Sequence, residues 1–591
     1  MNIKTLILVG VAAIALVLGG ILISQPKPDV GPEGPIVKTD DWVYDKDGVD
    51  MESSGSFTTK QLNTGAPTTT NSGGFGQPVN SMMSEAEDAL GFSVGGAKDI
   101  NGFRENIEHG YLPLPTDLTF EGLIYDYYFD TGMTEICNSL FCPSYQIAVA
   151  NDPLSGEPEY YMTVGLNSGL KESDFQRKKL NLVVVVDISG SMSSQFDSYY
   201  YDQNASEVDE DAGKTKLEIA SLAIVNMLSH LNDDDRLGVV LFDDNGYLGK
   251  PMSLLADTDL DAVKQHILNL APAGGTNMSA GMSLGTSLFG EFKDADSEQY
   301  ENRVIFLTDA MPNMGETHED GLLGMAKGNA DDGIYTTFIG IGLDFNTELI
   351  EHITKIRGAN YYSVKSASEF KERMDEGFEF MVTPLVFGLE LSLEASGFEI
   401  EKVYGSPAAD QATGQLMYIS TLFPSKSEGG ETKGGVVLIK LKPTEDFTGS
   451  SEINLSVSYE NRQGESQTVS SNIDFDVQDG EFFQNDGIRK AVTLARYVDF
   501  LQNWLIDERI LADAGDREPY VNMDDGIMVP DPRIQLGKWE RQSKPLNVMS
   551  EYKELMQTFN VYFESELNFL ADETLGQEMT LLKKLSTYEQ E

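Results

Sequence analysis

The chain has 591 residues, 40% of them hydrophobic, which is too long for one ordinary core and apolar enough to fill two or more domains. Its 95 acidic residues against 42 basic ones leave a formal charge of −53, a balance that repels phosphate backbones and anionic lipid headgroups and so argues against nucleic-acid binding. The same charge draws divalent cations toward the surface, but solubility or high salt would also account for it, and it names no function.

After a short amino-terminal segment, 1–4, residues 5–24 ("TLILVGVAAIALVLGGILIS") run 20 positions without a charge, behind Lys4. That length spans a bilayer as a helix, and the positive flank predicts a signal anchor with a cytoplasmic amino terminus and the bulk of the chain outside the cell membrane. A cleaved signal peptide, giving a secreted protein, is the alternative. The stretch is longer than an ordinary signal core, no clear A-x-A cleavage site follows it, and no cysteine follows for a lipid anchor. Residues 25–85 are rich in Pro, Gly, Ser, Thr and Asn without periodicity and predict a disordered stalk.

Residues 86–178 form a mixed region whose later parts, "SYQIAVA" and "YYMTVGLNS", read as strands. Its Cys137 and Cys142 are the only cysteines of the chain. In an exported protein their spacing suits a small disulfide loop, with free buried thiols as the alternative. Residues 179–382 alternate strands ("NLVVVVD", "RLGVVLFD", "RVIFLTD", "GIYTTFIGIG") with helices ("KLEIASLAIVNMLSHL", "LDAVKQHILNL", "NTELIEHITKI", "SEFKERMDEGFEFM"), which predicts an α/β domain with a mainly parallel sheet covered on both faces. Over 383–480 the period becomes two, as in "VVLIKLKP" and "EINLSVSYE". That predicts an antiparallel β-sandwich, completed by strands from before residue 178 if the α/β domain is an insertion. Residues 481–591 return to helical periodicity.

Chemistry concentrates where the predicted parallel strands end. "VVVVDISGSMSSQFD" runs a β-branched strand straight into a loop that offers Asp187, Ser189 and Ser191. "GGTNM" offers Thr276, and "LTDAMPN" offers Asp309. Ligands of open α/β sheets bind outside the carboxyl ends of the strands. Two carboxylates and three hydroxyls there make a hard, all-oxygen donor set suited to Mg²⁺, with Mn²⁺ or Ca²⁺ as alternatives, and unsuited to Zn²⁺.

These residues resemble the von Willebrand factor type A domain and its metal-ion-dependent adhesion site: D-x-S-x-S after the first strand, a threonine in the next site loop, and an aspartate ending a later hydrophobic strand. The resemblance implies a Rossmann-like fold in which Ser189, Ser191 and Thr276 hold the cation directly and Asp187 and Asp309 act mainly through water. The open position would then accept a carboxylate from a protein partner. Residues 103–130, the sandwich and "DGIRKAVTLARYVDFL" extend a looser similarity, over about residues 100–510, to bacterial exported proteins with this domain, inter-alpha-trypsin inhibitor heavy chains and calcium-activated chloride channel regulators. The chain departs from the pattern in the loop 193–213, which carries six acidic residues, three consecutive tyrosines and no base. That loop reads either as a solvated excursion or as an element that tunes partner choice.

None of the five histidines forms an H-E-x-x-H pair, and no P-loop is present. The expectation is a non-enzymatic, anchored adhesion module that binds protein through a divalent cation. The alternative is a structural component of an envelope complex, with the domain as a permanent scaffold.

Overall fold

The computed structural model describes residues 38–45, 89–134, 137–196, 214–293, 298–309, 319–343, 355–364, 377–405, 416–515, 520–522, 528–530 and 543–589, apart from positions 99, 396, 448 and 477–479. The expected membrane span 5–24, most of the stalk, most of the helix expected at 346–356 and residues 197–213 of the acidic loop lie outside these. No helix among the described residues is long and apolar enough to cross a membrane.

The chain enters through β1 (Ala89–Val94), β2 (Gly96–Ala97) and α1 (Asn101–Glu108), then forms the hairpin β3 (Cys142–Asn151) and β4 (Pro158–Lys171). A disulfide joins Cys137 to Cys142 at the start of β3. The α/β domain follows as β5 (Lys179–Asp187), α2 (Lys216–Met227), β6 (Arg236–Phe242), β7 (Gly246–Leu254), α3 (Leu260–Leu268), α4 (Met278–Ser287), β8 (Tyr300–Thr308), α5 (Glu319–Asp331), β9 (Ile334–Ile341) and β10 (Asn360–Val364). Next come β11 (Val386–Ala395), β12 (Phe398–Tyr404), β13 (Leu416–Ser425), β14 (Val436–Pro443), β15 (Ser450–Asn461) and β16 (Ser466–Asp476). The helices α6 (Asp486–Gly515), α7 (Ser550–Leu570) and α8 (Gly576–Ser586) finish the chain.

The α/β sheet has seven strands in the order β2-β10-β9-β8-β5-β6-β7, parallel except for β7. The valine run explains why β5 lies at its centre. Leu182, Val184 and Val186 enter one apolar cluster with α2 and α3, while Val183 and Val185 enter another on the opposite face with α4. A strand apolar at every position suits burial on both faces.

The second sheet has ten antiparallel strands, with β12-β14-β4-β1-β13-β11-β15-β16 as its main path. It closes over a shared core that includes Phe92, Val164, Leu391, Met417, Ile439 and Leu455. In β15 the period-two pattern is direct: Ile453, Leu455, Val457 and Tyr459 are buried between more exposed neighbours. Strands β1 and β4 from before the α/β domain pair with β13 and β14 from after it. The helices pack a third core around Trp504, Phe103, Phe559 and Leu582.

The two sheets are fastened at the amino ends of the parallel strands. The chain leaves β1 in the antiparallel sheet, turns at Gly95 and joins the α/β sheet as β2 against β10. A side chain at Gly95 would meet Phe423 and two backbone oxygens at 3.0–3.3 Å. Near the start of β8, Glu301 accepts from Arg303 at 3.2 Å and from Arg462 of the β15–β16 turn at 2.7 Å. Arg357 pairs with Glu460 of that hairpin. Phe423 of β13 lies between two buried cations, Lys98 and Arg303, at 5.4 and 5.9 Å from its ring centre.

Within the stretch read as a stalk, residues 40–45 lie along β7. Val43 donates to the Gly249 carbonyl at 2.8 Å, and Trp42 stacks on His266. Asp41 pairs at 2.9 Å with Lys250, which is wholly buried. A buried ammonium needs a counter-charge, and this segment supplies it where composition alone predicted no structure.

Lys98 donates to Ser93 Oγ at 2.8 Å and faces the Tyr125 ring at 4.5 Å. Burial holds its ammonium well below the ordinary 10.5. The folded chain therefore binds fewer protons here than the unfolded one, and stability rises with pH between the folded value and 10.5. Lys98→Met should stabilise the protein by on the order of 1–3 kcal/mol at neutral pH. The gain should shrink as pH approaches 10.5, which denaturant titrations at several pH values would read.

Candidate functional site

Asp187 is the last residue of β5 and Asp309 directly follows β8, the strand beside it, so adjacent parallel strands deliver both carboxylates to the same edge. This edge is the end of the sheet opposite the seam with the antiparallel sheet. The loop after β5 folds back at once. The Ser189 amide donates to Asp187 Oδ1 at 2.8 Å, and a short 3₁₀ turn over Gly190–Ser193 brings the Ser191 hydroxyl within 3.0 Å of the Ser189 hydroxyl. Ser191 in turn donates to Asp309 Oδ1 at 3.1 Å. The alternation of hydroxyl residues in the sequence thus puts two hydroxyl oxygens side by side.

Thr276 arrives on a second loop that is laced to the first. Gly190 donates to the Gly274 carbonyl at 3.0 Å and Ala273 to the Ile188 carbonyl at 2.7 Å. Asn277 then caps α4 by accepting from the Ala280 amide at 3.1 Å. A third loop supports this one: Asp244 accepts from the Gly275 amide at 2.8 Å, and the Asn277 amide donates to the Asp243 carbonyl at 2.7 Å. Gly274 holds φ of +75°, and a Cβ there would lie 2.9 Å from carboxylate oxygens of both Asp243 and Asp244.

All five residues singled out in the sequence are buried: Asp187, Ser189 and Asp309 at 0% exposure, Thr276 at 2% and Ser191 at 7%. Burial, and after it the charge of Asp309, pushes the Asp187 carboxyl up to about 7. Two desolvated carboxylates sharing one pocket are short of positive charge. The donors around them are all oxygen, which is the environment a hard divalent cation fits. Among the described residues no group of three or more His, Cys, Asp or Glu side chains converges on a metal-sized site.

Two neighbours escaped the sequence reading. The Thr308 hydroxyl donates to Asp187 Oδ2 at 2.7 Å. Lys216, wholly buried, places its ammonium 3.2 Å from Asp309 Oδ2. A threonine in a buried strand and a lysine opening a helix carry no signal that separates these roles from ordinary packing and solvation.

Residues 182–312 match the family model of the von Willebrand factor type A domain, and this part of the chain is such a domain. The chain is similar to inter-alpha-trypsin inhibitor heavy chain H1 of Sus scrofa, 24% identical over 223 residues, covering 36% of this chain and 22% of that protein. The heavy chain H1 of Mesocricetus auratus is 23% identical over 215 residues, covering 36% and 21%. The chain thus spans about a fifth of the length of the curated relatives it matches. A solved structure of a von Willebrand factor type A protein from Catenulispora acidiphila is 15% identical, with a TM-score of 0.42 over 65% of this chain and 84% of that one.

The Gly274 turn ties the second loop to the third. Gly274→Ala should cost about 1–3 kcal/mol through the left-handed backbone and the two crowded carboxylates. Chemical denaturation of the variant beside the parent would measure it, and a loss below a few tenths would show that the turn adapts.

Proposed function

We propose that this chain is an exported protein whose von Willebrand factor type A domain binds a protein partner through a divalent cation held at Asp187, Ser189, Ser191, Thr276 and Asp309. The observation that carries the reading is the buried oxygen cluster at the carboxyl ends of the α/β strands, where two carboxylates meet adjoining hydroxyls. Ser189, Ser191 and Thr276 would contact the ion, and Asp187 and Asp309 would hold it through water. Mg²⁺ is the first choice of metal, with Mn²⁺ or Ca²⁺ as alternatives. When bound, the ion supplies a Lewis-acidic position for a carboxylate oxygen of the partner.

The chain's own groups prepare that position. The Ser189 amide and the Thr308 hydroxyl fix the two oxygens of Asp187, and Ser191 orients one oxygen of Asp309. Neutral hydroxyls in direct contact would leave the ion electron-poor and able to attract an added anionic ligand, which fits an adhesive role. Residues 5–24 would hold the protein at the cell membrane with its bulk outside.

A second reading, a permanent assembly contact, draws on Ile506, Ile510 and Leu511 near the end of α6, which are 44–62% exposed. Chelation separates the two readings. Partner capture from envelope extract by the purified chain should require Mg²⁺ or Mn²⁺, be reversed by chelator, and fall at least tenfold in Asp187→Ala and Thr276→Ala variants of unchanged circular dichroism. Capture indifferent to chelator and to both substitutions would favour the permanent contact.

A further inference from the structure

Lys216 occupies an unusual place for a cation. A capping box fixes it as the first residue of α2: Thr215 Oγ1 accepts from the Glu218 amide at 3.2 Å, and Glu218 accepts from the Thr215 amide at 2.7 Å. The amino end of a helix already carries partial positive charge, and burial adds a desolvation cost, so an ammonium here is doubly disfavoured unless an anion holds it. The fold nevertheless makes room. Gly342, just after β9, sits at φ +94°, and a Cβ there would lie 2.5 Å from Lys216 Cε and 3.2 Å from Nζ. The ammonium then reaches Asp309 Oδ2, while Asp309 Oδ1 takes the Ser191 hydroxyl. One carboxylate is shared between a fixed internal cation and the oxygen cluster.

An ammonium this close acts on every charge brought to the cluster: it raises the energy of a divalent cation held there alone and lowers that of an anionic ligand added beside the cation.

We propose that Lys216 makes retention of a divalent cation at this site conditional on an anionic ligand: its ammonium opposes the ion in the ligand-free site and favours the carboxylate that completes the loaded one. This inference rests on the metal-site reading above. Metal and carboxylate then bind cooperatively, and each raises the affinity of the other by the same factor.

Mn²⁺ binding to the purified full-length chain tests this, by calorimetry at constant ionic strength in chloride and in acetate, with acetate as the carboxylate probe and the ion's own acetate complex subtracted. The unmodified protein should bind Mn²⁺ severalfold tighter in acetate. Lys216→Gln should bind it about tenfold or more tighter than the unmodified protein in chloride, and should lose most of the acetate effect. Equal affinity of the unmodified protein in the two salts overturns the inference, as does an acetate effect that Lys216→Gln keeps in full; Lys216→Met replaces that variant if it does not fold. Mn²⁺ binding without any acetate effect leaves the metal-site reading standing and removes only the role of Lys216. An unmodified protein that binds no Mn²⁺ in either salt overturns both.

Discussion

Two carboxylates sealed from water at the tips of neighbouring strands set the terms for the residues around them. An isolated buried carboxylate costs several kcal/mol, so each oxygen must find a donor or a cation. Asp187 is met by a backbone amide and a threonine hydroxyl, Asp309 by a serine hydroxyl and an ammonium. The left-handed glycine at 342 follows from the same demand, since a side chain there would take the space of Lys216, while Gly274 leaves room for the carboxylates of Asp243 and Asp244 in the third loop. The loops are shaped less by their own turn preferences than by the need to bring compensating groups to these two residues.

What could be read from the sequence is what is local in it. The valine run announced a strand buried on both faces because every one of its side chains is apolar, and the two faces do feed separate clusters. The loop after Asp187 was legible because its hydroxyls sit within four residues of the carboxylate. Thr276 and Asp309 were legible only through the order of a known pattern, since nothing near either in the chain points to the other. The partnership of Lys216 with Asp309 was not legible at all. Beside Glu218 at a helix start the lysine reads as a solvated residue, and its burial is imposed by a loop after β9 that is distant in sequence. The stretch "GFSVGGAKD" carries no signal that it takes the chain from one sheet into the other, where a side chain at Gly95 would crowd Phe423 and the crossing backbones. Alternation marked the antiparallel strands, while partners such as β4 and β14 are separated by the whole α/β domain.

The oxygen cluster and the seam with the antiparallel sheet occupy opposite ends of one sheet, while α1 reaches the cluster's end through Asn106, which donates to the Leu343 carbonyl at 3.4 Å. At the attached end the contacts are mixed. Arg303 is wholly buried and donates to the Gly358 and Val382 carbonyls at 2.9 Å each, Glu301 serves two arginines, and Phe423 is flanked by cations. Contacts of this kind depend on direction as well as distance, so they specify one orientation of the two sheets more strictly than an apolar seam of equal area would.

The crossing at Gly95 gives this arrangement a mechanical character. Tension applied at the carboxyl ends of the α/β strands would load them along their length. The load would leave through the amino ends of the central strands, and it would reach the antiparallel sheet by the peptide bonds on either side of the inserted domain and by the β2 segment, itself continuous with β1. Strand pairs stressed along their axis share force over many hydrogen bonds at once, whereas a hairpin peeled from its tip yields them singly. Tension along the central strands would therefore pass through covalent backbone into the ten-stranded sheet.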